Sequence, residues 1–209
     1  MDTRLIANLS DVSLCLVALY ISVRSFDVYT RFRYLRLFIL GLSMVLVSLS
    51  AAADFTSSYI KVVTLNTDWF IYIGQTVGFL FILLSLVRSS DTYLRGLMLL
   101  NIWTFPPLLV LLFLSPVLPG IHNTLILTLL GGSRFLICSM ISIAYFSAFM
   151  RKSTRFSMLM SVAFFLLYAS YLIAFFGQSL ASSRYFLGDL GDITGVIGLV
   201  VLVAAVSWE

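Results

Sequence analysis

Two stretches of this chain, Leu37 to Ala53 and Met158 to Phe176, run without a single charged residue, and further long apolar segments accompany them. A helix needs about 20 residues to cross a hydrocarbon core of about 30 Å. A chain of 209 residues therefore has room for about seven such spans and for little else. Only 11% of the residues are charged, less than half of the roughly 25% typical of a soluble domain. A transmembrane β-barrel would show segments of about ten residues with alternating polarity, which the uninterrupted runs exclude. The sequence thus predicts an all-α integral membrane protein, a single seven-helix transmembrane domain over residues 1–209. Its helices are expected at about 5–24, 34–53, 69–88, 96–115, 123–150, 157–177 and 190–207. No soluble catalytic domain fits beside them.

The connections carry an internal repeat. Val23-Arg24-Ser25, Asp27, Tyr29 and Arg31 return 64 positions later as Val87-Arg88-Ser89, Asp91, Tyr93 and Arg95. A third basic turn, Arg151-Lys152-Ser153-Thr154-Arg155, follows after another 63. This spacing suggests three similar helical hairpins, about 5–53, 69–115 and 123–177, followed by a seventh helix at about 190–207. Asp27 and Asp91 are expected to cap the N-termini of the helices that follow, each with an arginine four residues on. Thr154 holds the equivalent place in the third turn. These turns serve either as caps and topology signals or as a docking surface for a cytoplasmic partner. The first role is favoured, because exposed pairs of this kind contribute only a few tenths of a kcal/mol.

Nine of the thirteen basic residues lie in these three turns. Short loops rich in Lys and Arg stay in the cytoplasm, so the N-terminus is expected outside and the C-terminus inside, in a multi-pass protein of the cell membrane. Trp69 and Phe70 at the start of helix three, and Trp208 after helix seven, suit the headgroup level. No small-residue cleavage pattern follows Val23, so the first helix is expected to remain. The net charge of +4 belongs to the turns and gives no reason to expect nucleic acid.

Polar groups inside spans are expensive and therefore informative. Measured along a helix at about 1.5 Å per residue from the basic turns, Arg134 stands roughly 26 Å up and Asp11 and Gln75 each roughly 20 Å. Asp54 and Asp192 stand at roughly 27 and 24 Å on the same ruler. All five are expected to converge near the outer face, either as a ligand or ion site or as a structural cation neutralised by aspartates. Arg134 is accordingly expected within ion-pair reach of Asp11, Asp54 or Asp192. Helix four adds Asn101, Trp103 and the pair Pro106-Pro107; proline frees carbonyls and bends helices, which would open space at mid-membrane. Gly191, Gly195 and Gly198 give helix seven a small-residue face for close approach to a neighbour, in this chain or in another copy.

Absent residues narrow the chemistry further. The one histidine, His122, falls in an expected outer loop, so bis-histidine haem ligation is excluded and no metal is expected. Lys61 and Lys152 both fall in loops, leaving no buried lysine for a retinal Schiff base. Cys15 and Cys138 lie in apolar segments, where a thiol behaves as a small hydrophobe. There is no phosphate-binding glycine loop, nucleophile elbow or His-Glu-x-x-His pair. The expectation is a non-enzymatic protein without cofactor, receptor-like or accessory, meeting the lipid bilayer and a membrane-protein partner or a second copy. The alternative is a small-solute or ion transporter using the outer polar cluster, although transporter repeats usually relate larger units.

Overall fold

A computed structural model describes the backbone of residues 3–59, 66–88, 90–121, 124–179 and 184–207. These residues form seven helices and no strand: α1 (Thr3–Phe32), α2 (Leu35–Tyr59), α3 (Asp68–Val87), α4 (Asp91–Phe113), α5 (Thr124–Lys152), α6 (Arg155–Ser179) and α7 (Arg184–Ser207). All seven are long and apolar enough to cross a membrane. Lys61, His122 and Trp208 lie outside the described residues, as do the side chains of Asp11 and Arg184.

Six helices close into a ring in the order α1, α2, α3, α5, α6, α7, with α7 returning against α1. Helix α4 stands outside it and packs, among the described residues, only against α2 and α3. The core runs along the ring through Ile21, Met44, Phe79, Ile141 and Phe164. Small residues let the backbones approach, as they do where lipid-like apolar surface alone gives helices no reason to associate. A Cβ on Gly78 would stand 3.0 Å from the Ser43 carbonyl of α2. On α7, Cβ atoms at Gly191, Gly195 and Gly198 would meet Ser170, Ala163 and Leu166, so the neighbour of this glycine face is α6 of the same chain. Ser142 and Ser161 each donate to the other's carbonyl oxygen, at 3.0 and 3.1 Å, joining α5 to α6.

The three basic turns lie together at one end, but they are not built alike. Helix α1 continues to Phe32 rather than stopping near residue 24. Asp27 accepts from Arg24 and Arg31 one helical turn away on either side, with ion-pair distances of 3.3 and 3.2 Å. Asp27 is therefore an interior residue of α1 and not the cap of α2. The helix ends where Arg33 adopts a left-handed backbone (φ 58°), and α2 starts two residues later. The third turn repeats this design: Ser153 is left-handed (φ 45°), α6 starts at Arg155, and Thr154 accepts from the Ser157 amide at 3.4 Å.

In the second turn Arg88 and Ser90 are extended instead, with ψ of 143° and 129°. Asp91 is the first residue of α4 and its N-cap is Ser90, which makes no side-chain capping bond. An extended connection separates the two helix ends where a left-handed one folds them together. Accordingly α1 lies along α2 and α5 along α6, whereas α3 and α4 touch much less. At the opposite end, Trp69 Nε1 donates to the Pro119 carbonyl at 2.9 Å and Asn66 Nδ2 to that of Leu118 at 3.2 Å, tying the start of α3 to the end of α4.

Candidate functional site

Two regions of the bundle concentrate polar chemistry. The first surrounds Arg134 on α5, in the half away from the basic turns. Its Nη1 donates to Oε1 of Gln75 on α3 at 2.8 Å. The guanidinium lies over the Tyr72 ring at 4.2 Å from the centroid and near the Tyr171 ring at 5.1 Å. Tyr171 also reaches Gln75 Oε1 at 3.5 Å, and Thr76 meets Ser133 at 3.3 Å. Helices α3, α5 and α6 are thus tied at one level by a packed group whose central amide is 6% exposed.

The ruler measured from the turns brought Gln75 and Arg134 to one region, and here they bond. The described hydrogen-bond partner of Arg134 is an amide rather than a carboxylate. An amide oxygen and two ring faces offer partial negative charge without burying a second full charge, which is the costly step in making a buried ion pair. Asp54 on α2 lies within electrostatic range of both Arg134 and Asp68. Asp192, half-buried on α7, takes no part in the described contacts of Arg134. The Nε of Arg134 is buried without a hydrogen-bond partner among the described residues.

On α4 the expected polar residues part company. Asn101 is 0% exposed and donates from Nδ2 to Ser43 Oγ of α2 at 3.4 Å. Trp103 is 76% exposed on the other face of the helix. Two residues along a helix turn about 200°, so the two side chains cannot share a site. Pro106 and Pro107 lie inside α4, which continues through them. The large opening beside α4 is at its other half, toward the basic turns.

That opening is the second region, a hollow of about 800 Å³. Helix lengths and the second turn explain it. Helix α3 has 20 residues and α5 has 29, about 30 and 43 Å at the α-helical rise. The ring's wall is therefore lower at α3, and the extended turn keeps α4 from filling the gap. Buried Leu40, Ile82, Leu94 and Tyr145 line the inner part; exposed Arg33, Arg36 and Arg95, with Tyr34 and Asp91, line the mouth. Arg36 Nη2 reaches the Arg88 carbonyl at 3.5 Å, and Arg33 stands 6.0 Å from the Tyr29 ring centroid.

These mouth residues were visible in the sequence as turn residues with a topological role. What the sequence lacked was the difference between the first and second turns, which share a motif and fold differently. No family model, curated protein or solved structure matches the chain.

Proposed function

We propose that the protein is a non-enzymatic membrane module, receptor-like or accessory, with its N-terminus outside, its C-terminus cytoplasmic and a ligand held in the hollow at the basic end. The observation that carries this reading is the hollow itself. Its volume of about 800 Å³ falls in the range of small-molecule sites, about 300–1,000 Å³. Its inner wall is mostly apolar, with the buried Ser85 hydroxyl donating to the Ile82 carbonyl at 2.7 Å, and its charged groups are confined to the mouth, the division expected of a site that binds and orients. A signal or a partner would then meet the ligand at the end where the three basic turns lie, and α4, packed among the described residues only against α2 and α3, is the wall with most freedom to respond. The test is purification from native membranes with identification of bound molecules, for the natural chain and for Met98→Trp, which narrows the hollow. A small molecule that accompanies the natural chain and is lost from the variant supports the reading; identical molecules on both would sink it.

A second reading, transport of a small solute or ion, draws on the Arg134 group. A buried guanidinium nitrogen without a hydrogen-bond partner among the described residues, with Asp54 in electrostatic range, supplies charge at membrane depth, and such groups often mark ion or proton paths. Flux in proteoliposomes that disappears in both Asp11→Asn and Arg134→Gln would favour this alternative.

A further inference from the structure

Of the thirteen basic residues, those around the hollow are placed unlike their neighbours in the same turns. Arg24 and Arg31 both pair with the one carboxylate of Asp27. Arg33, Arg36 and Arg95 line the hollow, and none has a carboxylate within ion-pair distance among the described residues. Asp91 and Arg95 repeat the spacing of Asp27 and Arg31 but do not pair; both face the hollow from the first five residues of α4. The mouth therefore carries three guanidinium groups against one carboxylate, and its charge remains positive.

Beneath the mouth the character changes within one helical turn. Leu40 and Ile82 are 7% and 1% exposed, and Leu94 and Tyr145 are 5% and 9% exposed. Met98 and Leu86 continue this largely apolar lining, in which the Ser85 hydroxyl is turned to the Ile82 carbonyl at 2.7 Å. Cations above and hydrocarbon below fit a molecule with the same division.

We infer that the hollow binds an amphiphile with a phosphate-type anionic headgroup, the headgroup held by Arg33, Arg36 and Arg95 and an acyl chain seated against Leu40, Ile82 and Leu94. This inference rests on the proposal that the hollow is a ligand site and adds the chemical class of the ligand. The planar fork of arginine donates two parallel hydrogen bonds to phosphate oxygens, and its charge is permanent at any physiological pH. A basic pocket between membrane helices also faces the leaflet surface where anionic lipids accumulate, if the basic turns are cytoplasmic. Asp91 opposes an anion at one side of the mouth. It favours a headgroup that also carries hydroxyl groups, which donate to a carboxylate while the phosphate meets the arginines. Free phosphate would satisfy the arginines but leave the apolar part of the hollow unused.

Three probes separate these possibilities with the purified full chain in detergent: short-chain phosphatidylglycerol, short-chain diacylglycerol and inorganic phosphate. Saturable binding of phosphatidylglycerol is expected, at least tenfold tighter than either of the others. The triple variant Arg33→Gln, Arg36→Gln, Arg95→Gln should weaken it at least tenfold, and so should Met98→Trp, with the arginines intact. Both variants must retain the helical circular dichroism and monodisperse elution of the natural chain; Leu86→Trp replaces Met98→Trp if the latter does not. If diacylglycerol binds as tightly as phosphatidylglycerol and the triple variant is unaffected, the anionic assignment falls while the ligand site stands. If inorganic phosphate binds as tightly as the lipid and Met98→Trp changes nothing, the amphiphile assignment falls in favour of free phosphate. If none of the three binds saturably, the inference falls; the proposed site falls with it when native purification also yields no molecule that is lost from Met98→Trp.

Discussion

At the level of Gln75 the bundle is full; at the end of the basic turns it is hollow. Both regions hold arginine, yet the two use it differently. Arg134 of α5 is enclosed by an amide and two rings drawn from α3 and α6, so its described contacts tie three helices together. Arg33, Arg36 and Arg95 stand at the edge of a cavity without a described acidic partner, so their charge is available to something else. An intramembrane charge draws attention first because it is expensive. The comparison teaches that such expense can be met in part by local contacts, and that cheap, exposed charges gain interest when the fold gathers them around an empty volume.

The comparison is broken most directly at Arg134. Arg134→Ala removes the donor to Gln75, leaves that amide buried without its strongest partner and opens space between Tyr72 and Tyr171. The expected loss is about 2–4 kcal/mol, from the unsatisfied amide and the lost ring contacts. Arg95→Gln at the mouth should change stability by no more than about 0.5 kcal/mol, as for surface positions in general. Unfolding in mixed micelles by SDS titration measures both. Equal losses would mean that Arg134 is no more structural than the arginines of the mouth, and the distinction between a packed and an open region would be lost.

How much of this was legible in the sequence follows from what each signal encodes. Span-length apolar runs specify helices through the cost of unsatisfied backbone in lipid, so seven helices were readable and were found. Gln75 and Arg134 were placed in one region by counting residues from the turns, because helical rise is nearly constant. The partner of Arg134 was expected to be an aspartate; the described one is an amide, a choice made by three-dimensional packing that no linear ruler contains. The hollow was hidden for a subtler reason. Arg24-Ser25-Phe26-Asp27 and Arg88-Ser89-Ser90-Asp91 look like the same turn, but the first lies wholly within α1 while Arg88 and Ser90 are extended. The third turn, with little of the motif, shares the left-handed geometry of the first. Where a helix ends depends on the residues that continue it as much as on the motif, and Asp27 continues α1 by pairing on both sides.

Two glycines sharpen the comparison with smaller effects. Gly78 of α3 faces α2 so closely that an added Cβ would stand 3.0 Å from the Ser43 carbonyl and 3.5 Å from Val47. The carbonyl belongs to a helix backbone and cannot rotate away, so Gly78→Val should cost about 1–3 kcal/mol, the range for overpacking a filled interior.

Gly96 of α4 stands near the hollow, on the helix that leaves the ring, and an added Cβ there meets nothing within 4 Å. A glycine inside a helix loses more backbone entropy on folding than alanine does. With no steric term to oppose it, Gly96→Ala is expected to stabilise the protein by about 0.5–1 kcal/mol. The same SDS titration reads this gain, and the ligand experiment supplies the second coordinate. If α4 must shift when the hollow fills, a stiffer α4 should alter the affinity for phosphatidylglycerol while the stability of the empty protein rises. If α4 is a fixed wall, stability rises and affinity stays the same. A loss of stability of about 1 kcal/mol or more would mean that this face of α4 is covered in the folded protein, and α4 would then belong to the closed part of the bundle.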